Sequence, residues 1–295
     1  MSVTCYLHGK NLGMMIEQVP NIFQILTNVE YPPHNKMIFE EYFMNYYSRW
    51  DYSEKERIYL PILWTNYYIS RNYGCFDMSH LQKYLDGLDR SKKYFTVIQY
   101  DDGILQNIDD LDILIFGAGG GGEKTISEKN LGYPIPLICL PTPDVRKNRE
   151  RDMLCSFIGK FTNKYKIRLL LRQLYGNKIL VEGVLGYKTF VDVMERSVFS
   201  LCPRGYGATS FRICEALQHG SIPVYVYDKP WIPWKDEFDF NEIGILISKK
   251  EIPNLLNIVK RKTKDDIKRY VENGERIYEE YFSFEGCAQK IINKI

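Results

Sequence analysis

The chain has 295 residues, 45% of them hydrophobic, with 39 Lys and Arg against 37 Asp and Glu. That length leaves room for two compact domains, each with its own core. The near-balance of charge creates no strong field, which argues against nucleic acid or a membrane surface as partner and for a small or neutral substrate.

In chain order, Val3 to Leu7 reads as a short strand and Met14 to Leu26 as a helix interrupted by Pro20. After the Tyr31-Pro32-Pro33 breaker, Ile38, Tyr42, Tyr46 and Trp50 recur every four residues and predict an amphipathic helix. Ile58 to Trp64 reads as a buried strand, Asp77 to Leu88 as a helix capped by Asp77 or Ser79, and Tyr94 to Tyr100 as a further strand. Leu111 to Phe116 and Ile135 to Leu140 complete a set of short apolar strands. Alternation of strand and helix predicts parallel α/β sheets. Pro141 to Arg151, with two prolines and dense charge, marks the expected boundary between domains 1–150 and 151–281. The second half alternates again: strand 153–158, helix 164–175, strand 178–182, helix 187–196, then strand 244–248 and helices 251–262, 265–281 and 285–295.

Between residues 196 and 228 lies VFSLCPRGYGATSFRICEALQHGSIPVYVY, from Val198 to Tyr227. It reads as strand, loop, helix, strand. The loop and the helix N-terminus would then sit at the carboxyl end of a strand, where free N–H groups and the helix dipole favour an anion. Arg204, Arg212 and those N–H groups suit the phosphates of a nucleotide diphosphate, and Glu215 suits ribose hydroxyls. Spacing alone favours an ordinary crossover with a surface Arg212–Glu215 pair of little energetic value.

Other patterns carry less. Gly117 to Gly122 satisfies G-x-G-x-x-G, but Gly132, Pro134 and Pro136 cut short the helix that a dinucleotide fold requires, and the next strand ends in Leu140-Pro141 rather than an acidic residue. Glu123 likewise spoils a phosphate loop at Gly121 to Thr125. A flexible tight loop and a backbone approach to ligand at the cleft edge stay equally open for this run. Asp110-Leu111-Asp112 has the D-x-D form, which is common by chance. Four scattered histidines and seven cysteines at 5, 75, 139, 155, 202, 214 and 287, without C-x-x-C spacing, give no zinc set and read as buried free thiols in a reducing compartment. There is no basic stretch with an apolar core at the start and no run of about eighteen apolar residues, so a soluble, cytoplasmic protein without a membrane anchor is expected.

PRGYGATSFRICEALQHGSIPVYVYD resembles the signature of the exostosin family of glycosyltransferases, in which an Arg-Gly loop precedes a helix carrying Arg, Glu-Ala and a terminal Gly. The likeness continues through Pro230-Trp231-Ile232-Pro233-Trp234, Phe238-Asp239-Phe240 and Ile243 to Ile247, and upstream through LPILWTNYYI and FTVIQYDDG. It implies a GT-B fold, two Rossmann-like domains facing across a cleft, with residues 282–295 free to return to the first. It also implies an inverting, metal-independent transfer from a UDP-sugar to a glycan hydroxyl. Donor contacts would come from Arg204, Gly205, Tyr206, Ser210, Arg212 and Glu215. Inversion needs a general base, and Asp101 or Asp102, after a strand of the first half, is placed for it, with Asp77, His80 and Glu128 as competitors. Trp64, Thr65, Tyr68 and Asp77 would line the acceptor side. The short form looks most like soluble chlorovirus-type glycan xylosyltransferases, which favours UDP-xylose among glucuronate, galactose, xylose and arabinose donors. The rival readings are a non-catalytic module binding glycan or nucleotide sugar, and an NAD-dependent oxidoreductase built on the glycine run.

Overall fold

A computed structural model describes residues 16–24, 38–49, 52, 54–119, 132–139, 141–142, 145, 149–161, 166–183 and 186–295. The expected strand at Val3 to Leu7, together with Trp50, Gly120 to Gly122 and Glu128, lies outside these residues. The expected helix over Met14 to Leu26 is reduced, within the described part, to an isolated bridge at Ile16 and a 3-10 turn, Asn21–Phe23, that starts after Pro20.

The first unit begins with α1 (Phe39–Tyr47). Its fully buried stripe is Phe39, Phe43 and Tyr47, one position along from the predicted one, because Phe43 and Tyr47 pack on Tyr59 and Phe95 of the sheet while Tyr42 and Tyr46 stay half-buried. Strand β1 is only Ile58–Tyr59. The strand expected to run on to Trp64 stops here, since Pro61 has no N–H for a ladder, and Trp64–Ser70 forms helix α2 instead. Helix α3 (Ser79–Asp86) and strands β2 (Lys93–Ile98), β3 (Asp112–Gly117) and β4 (Gly132–Pro134) follow. The four strands are parallel, in the order β1-β2-β3-β4, with Lys93 opposite Asp112 and Ile98 opposite Gly117. Burial on both faces explains why β2 and β3 read as continuous apolar runs rather than alternating ones. The strand expected over Ile135 to Leu140 does not form: Pro134 and Pro136 interrupt its donors, and Ile135 to Cys139 pass buried but largely outside the ladder.

The second unit holds β5 (Met153–Ile158), α4 (Ile167–Tyr175), β6 (Leu180–Glu182), α5 (Tyr187–Arg196), β7 (Ser197–Pro203), α6 (Phe211–Gln218), β8 (Ile222–Tyr227) and β9 (Ile245–Ser248). These strands are also parallel, in the order β6-β5-β7-β8-β9. Strand β5 has β6 on one side and β7 on the other, so connections leave it in opposite directions. The crevice beyond the carboxyl ends of β5 and β7 is therefore a topological switch point, where ligands bind in open α/β sheets.

Helices α7 (Leu255–Lys260), α8 (Lys264–Ile277) and α9 (Phe284–Lys294) close the chain. Thr263 and Asp266 form a capping box on α8, each side chain taking a backbone N–H of the other. A π-helical turn, Tyr278–Phe282, and the Ser283 cap then redirect α9 to the first unit. There Phe284 packs edge-on against Phe39 and Tyr42, and Lys55 donates to the carbonyls of Ile292 and Ile295. Two parallel α/β units linked through residues 141–151, with the last helix returned to the first, make up the GT-B architecture.

Candidate active site

Arg204 follows β7 directly, yet its guanidinium points into the loop rather than outward. Nη1 donates to Asp228 Oδ1 at 2.5 Å, Nε to the Gly207 carbonyl at 3.0 Å and Nη2 to the Tyr206 carbonyl at 3.0 Å, with the residue only 5% exposed. Burial would raise the Asp228 carboxyl, but the hydrogen bond from Arg204 holds it below its usual range. Arg204 thus shapes the loop, and the outward phosphate role expected of it is not available in this arrangement. Gly205 N–H donates to the Thr209 carbonyl, and Tyr206 stands 71% exposed at the tip. Ser210 caps α6 by accepting from Arg212 N–H at 3.3 Å, so its hydroxyl serves the helix.

Arg212 and Glu215 meet as the spacing implied, Nε to Oε2 at 2.7 Å, but half-hidden in the crevice rather than on a solvated face. The Arg212 guanidinium lies over the Phe190 ring at 4.7 Å and near the Phe157 ring at 5.7 Å. On Phe157 also rests Arg168, from the first turn of α4, at 5.6 Å. Its Nη1 donates to the Lys160 carbonyl, while its Nε is buried with no partner among the described residues. Burial and the neighbouring Arg212 charge both pull the Arg168 pKa below its ordinary value, opposed by Asp101 and Tyr206. Two guanidinium groups thus converge on one aromatic ring at the switch point, and a bound anion would relieve their repulsion.

Arg168 did not emerge from the sequence. Its signal was an arginine in the first turn of a helix that has no acidic residue there, where the dipole disfavours a cation, after Lys166 with a left-handed φ of 58°.

The first unit contributes the turn after β2. The Asp101 turn lies against Gly207, so the two units touch at this carboxyl. Burial pushes its pKa up to about 6; Gly207 N–H, Arg204 and Arg168 pull it down, and Asp102 pushes it further up. The fit leaves no room for side chains. A Cβ on Gly207 would lie 2.9 Å from the Asp101 Cβ, and one on Gly119 only 2.2 Å from the Asp101 carbonyl oxygen. This gives the glycine run a structural purpose at Gly119: close backbone approach beneath Asp101. Gly119→Ala should therefore displace the Asp101 turn and lower the melting temperature by several degrees, measured by calorimetry, whereas Gly183→Ala, in open space, should not.

Other expected residues fall elsewhere. Asp102 is exposed next to Asp101. Trp64, Thr65 and Tyr68 are fully buried, their polar atoms bonded to Thr96 Oγ1, the Glu40 carboxylate and Gln106 Oε1 respectively, so the structure corrects their placement on the acceptor surface: they are core groups of α2. Asp77 is exposed and accepts from Ser79 N–H and Oγ–H, which hold its pKa low, as a turn at the start of α3. The D-x-D pattern lies at the amino end of β3, opposite the crevice, with Asp112 bonded to Arg57 at 2.7 Å. Among the described residues no group of three or more His, Cys, Asp or Glu side chains is arranged to hold a metal ion, and no helix is long and apolar enough to cross a membrane.

Two parallel α/β units with a cationic crevice at the switch point of the second sheet define the GT-B class of fold. Residues 113–262 match the family model described as Exostosin GT47 domain, and the chain belongs to the exostosin GT47 family of glycosyltransferase domains. It is similar to a protein named "Probable glucuronosyltransferase" of Oryza sativa subsp. japonica, 38% identical over 81 residues, or 28% of this chain and 19% of that one. A "Probable beta-1,4-xylosyltransferase" of Arabidopsis thaliana is 37% identical over 71 residues, 24% of this chain and 17% of that one. The chain thus spans less than a fifth of the length of either relative. Among solved structures, the crystal structure of TarM gives a TM-score of 0.43 at 10% identity, covering 73% of this chain and 52% of that chain.

Proposed function

We propose that the chain is an inverting glycosyltransferase that takes a UDP-sugar and passes the sugar to a hydroxyl of a glycan. The observation that carries this reading is the Arg168–Arg212 pair, two convergent guanidinium groups beside the N-terminus of α6, suited to a diphosphate leaving group. Glu215 is placed by Arg212 to accept from ribose hydroxyls. Asp101, at the meeting of the two units, takes the proton from the acceptor hydroxyl as it attacks the anomeric carbon, and the bond to the UDP oxygen breaks on the opposite face. The two arginines neutralise the charge that develops on the departing diphosphate, so no metal is required. The donor is UDP-xylose, with UDP-glucuronate as the second choice, both in keeping with the names of the relatives.

Acceptor sugar would rest on exposed aromatics of the loop that follows α2. Tyr73 and Phe76 are 64% and 60% exposed on a loop where Asn72, Tyr73 and Gly74 all have left-handed φ, and Tyr100 feels the charges of Asp101, Asp102 and Tyr73 together. Isothermal titration should show binding of UDP and of the UDP-sugar, and transfer should persist in excess EDTA. Binding of NAD without any response to UDP would overturn the reading, and loss of transfer on chelation would overturn its metal-free form.

A further inference from the structure

Glu40 sits in the first turn of α1 and is 1% exposed, a carboxyl in the core of the first unit with no place in the transfer chemistry. It accepts from three donors on two other segments: Thr65 N–H at 3.0 Å, Thr65 Oγ–H at 2.6 Å and Gln99 N–H at 2.7 Å. Thr65 is the second residue of α2, which has no side-chain cap of its own, so Glu40 supplies one from a distance. Gln99 immediately follows β2 and stands two residues before Asp101. Its side chain reaches the other way, donating to the Pro136 carbonyl at 3.2 Å and accepting from Ile138 N–H at 3.0 Å. The next residue of α1, Glu41, accepts from Asn66 Nδ2 at 2.6 Å.

A buried carboxyl is costly, and it is retained where its hydrogen bonds fix a geometry that matters. All three donors here are N–H or O–H groups, and an ionised carboxylate accepts from them most strongly, because charge-assisted bonds are about twice as strong as neutral ones and no hydrogen of its own has to be placed. We infer that Glu40 is a positioning residue for Asp101: by holding Gln99 N–H against α1 and the head of α2, it fixes where β2 ends and therefore where the Asp101 carboxyl meets Gly207. This rests on the reading of Asp101 as the base.

Burial pushes the Glu40 pKa up to about 7, offset by the Gln99 and Thr65 hydrogen bonds and raised further by Glu41. The groups that face it are Glu41 on its own helix, Tyr59 on β1 and Tyr68 on α2, none of them a cation. As pH falls through about 7 the carboxyl takes a proton and its bonds lose their charge assistance, loosening the hold on Gln99 before Asp101 itself protonates at about 6.

Two measurements test this. In the unmodified chain, the carboxyl carbon of Asp101 followed by NMR should show two inflections, its own and one at the midpoint of Glu40; a single inflection overturns the proposal. In Glu40→Gln, kcat for transfer should fall at least tenfold while KM for the UDP-sugar and the affinity for UDP change less than threefold. The acid limb of kcat should also narrow from two steps to one. A folded Glu40→Gln chain with unchanged kcat and an unchanged acid limb overturns it. Should that variant fail to fold, the NMR titration decides alone, and because it needs neither UDP nor turnover, it also separates failure of this inference from failure of the transferase reading.

Discussion

Arg168→Ala is expected to weaken UDP binding by about 100-fold, measured by titration calorimetry, while leaving the melting temperature unchanged or slightly raised. The magnitude follows from losing charge-assisted hydrogen bonds to phosphate in a partly desolvated crevice, worth roughly 1.5–3 kcal/mol. The stability half follows from the observed environment. Arg168 has a buried Nε without a partner among the described residues and a second cation, Arg212, beside it, so the unliganded protein gains little from keeping it. A residue that costs the free fold and serves a ligand shows this opposite pair of effects. Arg168→Lys should recover part of the affinity, because a point charge cannot reproduce a planar fork. UDP affinity within twofold of the parent would remove Arg168 from the donor site. Arg204→Ala should behave in the reverse sense: it leaves Asp228 without its partner and the Tyr206 and Gly207 carbonyls without their donor, so stability falls first and binding falls as a consequence.

Asp101→Asn should lower kcat for transfer by about a thousandfold, in the range for removal of a general base, with UDP affinity preserved. Asp102→Asn, at an exposed position, should change kcat only a few-fold. The pH dependence carries the sign of each effect. A base must be ionised, so transfer should decline as pH falls through about 6, the Asp101 value, after the earlier step that Glu40 contributes near 7. Folding responds in the other direction. The folded pKa lies above the ordinary aspartate value of 3.8, so the native chain binds the extra proton between the two. The stabilising contribution of neutral Asp101 is full below 3.8 and is lost as pH rises through about 6. Asp101→Asn should remove that part of the pH dependence of unfolding. Full activity in Asp101→Asn would place the base elsewhere.

Short-range pattern was legible wherever the chain obeys one period. Strand 153–158 and helix 187–196 fall where the residues place them, and the strand–loop–helix–strand from Ser197 to Tyr227 follows from apolar runs punctuated by Pro203, Gly205 and Gly220. The pattern misled at Ile58 to Trp64, where an apolar run suits strand and buried helix alike. What turns Trp64 into the head of a helix is the Glu40 carboxylate, 25 residues upstream, accepting from Thr65 N–H. Consequently the side chains expected to greet an acceptor sugar became core.

By itself, then, the sequence determined the parallel α/β class, the Arg-Gly loop before α6 and the Arg212–Glu215 pair, because each depends on neighbours within a few residues. Only the tertiary structure decided which arginines converge in the crevice. Arg204 is claimed by Asp228, 24 residues on, whereas Arg168, on a helix that reads as merely amphipathic, is carried to Arg212 by the order in which β5 and β7 pair. Partner choice across such distances is set by sheet order and burial, which no local spacing encodes.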